Sequence, residues 1–192
     1  MKTLLEQRME RKVAEKAFYD RLSRWYDLLA GQAEKNCRDM GLKLLEVRPG
    51  ERVLEIGFGT GQCLQALCQS VGSTGMVFGI DISDGMLHVA QARLHRAGLL
   101  DRVELKQADA VHLPFEDGLF DALYMSFTLE LFDPQEIAVL LRECRRVLRV
   151  TGRICIVAMA DPERHTLMVK LYNWAHTKWP IILDCRPIDA RS

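Results

Sequence analysis

Five short runs of apolar and β-branched residues recur from residue 51 onward: "RVLEI" (52 to 56), "MVFGID" (76 to 81), "RVELKQ" (102 to 107), "FDALYM" (120 to 125) and "RICIVAM" (153 to 159). Stretches with helical periodicity separate them, and strands joined through helices pair in parallel, because a tight hairpin can join only antiparallel neighbours. The expected fold is therefore α/β, a doubly wound parallel sheet. Ser83-Asp84 is placed to cap a helix running through Met86, Leu87, Ala90 and Leu94 to a stop at Gly98. Asp133-Pro134 likewise opens a helix whose apolar positions are Ile137, Leu140, Leu141, Cys144, Val147 and Leu148. Residues 3 to 47 carry apolar residues at helical spacing with a break near Ala30-Gly31. With no linker or internal repeat, the chain reads as one domain: an N-terminal helical cap over 1–50, a ligand-binding α/β core over 51–160, and a helix and tail over 161–192.

The segment "VLEIGFGTGQCL" (53 to 64) sets Gly57, Gly59 and Gly61 where the first strand stops and a helix begins. Glycines there permit backbone torsions closed to other residues and let a ligand approach the main chain. A dinucleotide fingerprint would need glycine where Gln62 stands, and a phosphate-binding loop would need GK[ST], which is absent. Glu55, two residues before Gly57, would repel a pyrophosphate and attract a cationic ligand; it could equally anchor amides of the turn. Asp81 ends the second run, where an acid accepts both hydroxyls of a ribose, with Ile82 beside it in the same expected contact set. Asp109, just past the third run, is placed for an exocyclic adenine amine, with the Ala110 backbone alongside. Three acids at three successive strand ends thus line one crevice.

In "VLEIGFGTGQ", "GIDIS", "QADAVHLPF", "FDALYMSFTLE" and "RVLRVTGRICIV" the chain resembles the class I S-adenosylmethionine-dependent methyltransferases, over about residues 51 to 160. "YDRLSRWYD" (19 to 27) and "LPFEDGLFDAL" (113 to 123) are most similar to the ubiquinone/menaquinone-biosynthesis C-methyltransferase type. The resemblance implies a Rossmann-like class I methyltransferase fold with S-adenosylmethionine as cofactor. It implies that Gly57, Gly59 and Thr60 flank the methionine portion, that Asp81 holds the ribose and Asp109 and Ala110 the adenine, and that Ser126 closes the site. Tyr19 and Tyr26, seven apart on one helical face, can lid the cleft, and Tyr26 is the expected aromatic contact for a sulfonium. The chain departs from the family in two places. Val150 and Thr151 stand where a Pro-Gly-Gly turn is common, and the 32 residues after Ala160 leave the closing antiparallel hairpin missing. The fifth strand would then be an unpaired apolar edge, which predicts a homodimer or a truncated chain.

Lys plus Arg and Asp plus Glu each total 26 in the 192 residues, so no global field draws a polyanion and nucleic acid is not an expected partner. Nor is there an [ND]PP[YF] turn or a Pro-Cys nucleophile, features associated with methylation of nucleic-acid amines, glutamine and cytosine rings. Six cysteines without a CxxC pair, scattered histidines, a charged N-terminus and no long apolar run predict a cytoplasmic protein with free thiols, no metal and no transmembrane segment. Arg142, Arg145, Arg146 and Arg149 form a stripe opposite an apolar helix face, read as solvated, with peripheral membrane contact as the other reading. The expected function is methyl transfer to a small, lipophilic acceptor, a quinol ring carbon being favoured. The competing readings are an inert cofactor-binding or assembly subunit and a methyltransferase acting on protein or RNA. His112 and Glu130 fall near loops on the correct side, but no catalytic residue follows from the sequence.

Overall fold

The computed structural model describes residues 32 to 158. The expected helices before residue 32, with Tyr19 and Tyr26, and the helix and tail after residue 158, on which the expected absence of the closing hairpin rests, lie outside the described residues. Within them, β1 (Arg52–Ile56), β2 (Met76–Asp81), β3 (Val103–Gln107), β4 (Phe120–Ser126) and β5 (Leu148–Val157) form one sheet. Its order is β3-β2-β1-β4-β5 with every pairing parallel. The helices are α1 (Gln32–Leu45), α2 (Gln62–Val71), α3 (Asp84–Arg96) and α4 (Pro134–Val147), with short 3-10 turns at Leu100–Arg102 and Leu129–Leu131.

Because β1 is central and covered on both faces, both sets of its alternating side chains are buried, and it reads as a continuous apolar run rather than an alternation. Val53, Val77, Ala122 and Tyr124 pack with Leu45 of α1, Leu64, Leu67 and Cys68 of α2, and Met86, Ala90 and Leu94 of α3. Leu54, Ile56, Phe78, Ile80, Leu123 and Met125 point the other way, onto Leu140, Cys144 and Val147 of α4. On that side Phe78, Phe115 and Phe120 meet edge to face, with ring centroids 5.0 to 5.8 Å apart. The doubly wound sheet expected from the sequence is present.

The two expected helix starts have clear physical causes. Ser83 Oγ accepts from Met86 N at 3.1 Å, and Asp133 and Glu136 form a reciprocal capping box ahead of Pro134. Three expectations need correction. The fifth strand begins at Leu148, five residues early, with an irregular register between Phe120↔Leu148 and Ala122↔Arg153; the polar residues of "RVTGR" conceal this edge. Leu141 is 41% exposed rather than part of the core face of α4. In the arginine stripe, Arg142, Arg145 and Arg149 are exposed, and Arg149 pairs with Asp121, but Arg146 is bound into a network.

Helix α1 is fastened to the sheet at two points. Tyr124, fully buried in β4, donates its hydroxyl to the Arg38 carbonyl at 3.0 Å. Arg153 of β5 donates to the carbonyls of Leu45 (2.5 Å) and Glu46 (2.6 Å) and pairs with Glu51 at 2.6 Å. The guanidinium thereby satisfies carbonyls left open at the end of α1 and places positive charge where the helix dipole favours it. Leu64, with no exposed surface, sits in the middle of the α2 contact with the sheet. Leu64→Ala is expected to lower unfolding free energy by about 2–5 kcal/mol, read from urea denaturation, with the denaturant slope unchanged.

Candidate functional site

The turn from β1 into α2 is built around the end of β2. The amides of Gly57 and Phe58 donate to the Ile80 carbonyl (2.8 and 3.4 Å), Gly61 N to Phe58 O (2.9 Å), and Gly59 N to Asp81 Oδ2 (2.8 Å). Gly57 has φ 72°, and a Cβ there would overlap the Thr128 side chain. Gly59 has φ 51°, and a Cβ there would meet no protein atom within 4 Å. The first glycine is required by close packing against the β4 turn; the second leaves the main chain bare beside open space.

Asp81 is the last residue of β2, and its other oxygen accepts from Ser83 N at 2.9 Å. Its carboxylate therefore ties the glycine turn to the start of α3, while Ser83 provides the cap. Glu55 lies on the α1–α3 face of β1 and is only 3% exposed, and its Oε2 has no hydrogen-bond partner among the described residues. Burial, and next the charge of Asp81, push its carboxyl well above the usual range, against the opposing pull of Arg38. Of the turn amides, those of Gly57 and Phe58 bond to Ile80, that of Gly59 to Asp81 and that of Gly61 to Phe58. Arg38 of α1 donates from Nη2 to Gln62 Oε1 at 3.0 Å, completing one wall with a cation.

Past β3, Ala108 N donates to Asp81 O at 3.0 Å, so the third strand end is sewn to the second. Asp109 Oδ1 accepts from Val111 N (3.2 Å) and its carbonyl from His112 N (3.1 Å), closing a tight turn at Asp109–His112. Its continuation is held by α4. Glu143 Oε2 accepts from Leu113 N at 2.9 Å, and Arg146 donates to the carbonyls of Leu113 (3.0 Å) and Phe115 (2.8 Å) and to Asp117 (2.8 Å). Arg146 and Glu143 share two further hydrogen bonds of 2.7 and 2.8 Å, which hold the Glu143 carboxyl down at about 2. At the end of β4, Thr128 Oγ1 donates to Ser126 O at 3.0 Å, and Phe127, with φ 51°, donates its amide to Val157 O at 2.7 Å.

These ends enclose a cleft across the carboxyl side of the sheet, where the strand order reverses direction beside β1. Glu55, Gly57, Gly59, Thr60, Asp81, Ile82, Asp109, Ala110 and Ser126 all line it. Tyr26 lies outside the described residues. The lining also includes residues that sequence reasoning missed: Arg38, Gln62, Cys63 and Met86 on one side, and Phe127, Thr128, Leu131 and Phe132 on the other. Phe127 and Thr128 adjoin Ser126 in a quoted motif and could have been found there, whereas Arg38 is one of many charges on its helix and carries no spacing signal. Neither His112 nor Glu130 is among the lining residues. The Cys63 thiol is pushed up by burial and stays protonated.

A cleft of this kind, with acids at three adjacent strand ends and a bare glycine turn, defines a nucleoside-binding α/β domain. A family model described as "Methyltransferase domain" matches residues 53–152. The ubiquinone/menaquinone biosynthesis C-methyltransferase UbiE of Pseudomonas fluorescens is 37% identical over 177 residues, covering 90% of this chain and 67% of that protein. Its counterpart in Teredinibacter turnerae is 35% identical over 147 residues, covering 77% of this chain and 58% of that protein, so the chain spans less than two thirds of this relative. Among solved structures, a SAM-dependent methyltransferase from Aquifex aeolicus is similar with a TM-score of 0.58 and 29% identity, over 67% of each chain. The chain belongs to this methyltransferase family.

Two predictions follow from the site's geometry. Gly59→Ala is expected to cost no more than about 1–2 kcal/mol of stability, from its torsion alone, yet to weaken adenosylhomocysteine binding by titration calorimetry; Gly57→Ala should lose both, because Thr128 must move. Glu143 has a folded value depressed below 4.5, so its contribution to stability is present above pH 4.5 and is lost as pH falls toward about 2. The difference in urea midpoint between wild type and Glu143→Gln should therefore shrink between pH 7 and pH 3.

Proposed function

We propose that this chain transfers a methyl group from S-adenosylmethionine to a ring carbon of a small quinol-type acceptor in the cytoplasm. The observation that carries the reading is the buried Glu55 carboxyl, with one oxygen lacking a partner among the described residues, in one cleft with the bare main chain at Gly59 and with Arg38. An acid and a guanidinium facing one cleft suit the ammonium and carboxylate of an amino-acid end, and a cationic ligand relieves the cost of holding Glu55 away from water. Asp81 would hold the ribose hydroxyls, and Asp109 with Ala110 the adenine, at successive strand ends. When bound, S-adenosylmethionine supplies a methyl already activated on a sulfonium.

Transfer then asks the protein mainly for alignment, with the donor carbon and acceptor atom held roughly 3–3.5 Å apart, and for exclusion of water. Phe127, Leu131 and Phe132 give the far wall an apolar character suited to a lipophilic ring. The relatives in Pseudomonas fluorescens and Teredinibacter turnerae, named for ubiquinone/menaquinone biosynthesis, favour a quinol over other small acceptors.

The reading is tested by incubation with methyl-labelled donor and a panel of demethylated quinols, sterols, phospholipids and amines, followed by mass spectrometry. Label on a quinol ring carbon is expected; label only on another class overturns the acceptor assignment. Asp81→Ala should weaken adenosylhomocysteine binding about 10- to 150-fold, the equivalent of about 1.5–3 kcal/mol of lost charged hydrogen bonds. Unchanged affinity would remove Asp81 from the ribose.

A further inference from the structure

The polypeptide between β3 and β4 contains no helix or strand, yet its main chain is bonded to α4 at several points. Both main-chain groups of Leu113 are engaged by α4, its amide by Glu143 and its carbonyl by Arg146. Arg146 also takes the Phe115 carbonyl through the same guanidinium, while its own carbonyl accepts from Gly118 N at 2.9 Å. Asp109 to His112 is itself one closed turn, so no slack separates the Leu113 peptide from Asp109 and Ala110 on the cleft wall. The planar fork of arginine makes five hydrogen bonds here, to two carbonyls and to the carboxylates of Glu143 and Asp117, more than the three N–H donors of a lysine ammonium can supply.

We propose that Arg146, oriented by Glu143, is a positioning residue for the nucleobase end of the cleft: by fixing the Leu113 peptide from outside the site it sets the direction in which Asp109 and Ala110 face the ligand. This rests on the reading above that those two residues hold adenine. Arg146 touches no ligand itself and does not line the cleft. A merely architectural Arg146 would raise thermal stability without acting through Asp109.

The test is titration calorimetry with adenosylhomocysteine, at a temperature well below every variant's Tm, on wild type, Arg146→Lys, Asp109→Ala and the double variant. Arg146→Lys is expected to bind about tenfold more weakly, and the double variant no more weakly than Asp109→Ala alone, since residues acting through one another give non-additive losses. Glu143→Gln, which keeps the two carbonyl bonds of Arg146 but loses the charged partner, should lose affinity in the same direction and stands in if Arg146→Lys does not fold. An affinity unchanged in Arg146→Lys or Glu143→Gln despite a lower Tm, or losses that simply add, overturns the proposal alone. A wild-type chain that fails to bind, or an Asp109→Ala variant that binds as well as wild type, overturns the cofactor reading and this proposal with it.

Discussion

The cleft depends on the carboxylate of Asp81, whose two oxygens take amides from two different turns, Gly59 on one side and Ser83 on the other. An ionised acceptor bridging two backbone donors is strong and directional, and here it stands at the junction of β2, the glycine turn and α3. The Ile80 carbonyl adds the amides of Gly57 and Phe58, and the Asp81 carbonyl takes Ala108. Three loops that diverge in sequence are therefore indexed to the last two residues of one strand, which is how a site drawn from distant segments keeps a fixed shape.

Against this rigid frame Glu55 is an intentional misfit. Strand alternation turns it to the same face as Val53, in register with Gly79 of β2 and Tyr124 of β4, over a core that is otherwise hydrophobic. Burial and the neighbouring Asp81 raise its carboxyl well above the ordinary range, the mark of an acid held away from water at a cost in stability that a bound cation would offset.

Strands β1 to β4 and the caps at Ser83 and Asp133 were legible because β-branched runs, side-chain caps and Pro at a helix start are local signals. The early start of β5 was not, since edge residues such as the exposed Val150 lie outside the burial that shapes strand composition. For the site, Glu55, Asp81 and Asp109 were legible because each sits at a fixed offset from a strand end. Arg38 and Arg146 were not, because a charged residue on a helix looks the same whether it meets water or another chain segment; only the fold shows that Arg146 faces the carbonyls of "LPF".

The Arg153 guanidinium joins groups 102 to 108 positions away in the chain, at Glu51 and at the end of α1. As the polypeptide leaves the ribosome, α1 can coil early and meets its first tether, Tyr124, with β4, but the second, at its C-terminal end, arrives only with β5. A nascent chain stopped short of residue 153 would thus own every glycine and acid of the crevice, and the Tyr124 tether at Arg38, without the clamp on the C-terminal end of the helix that carries Arg38.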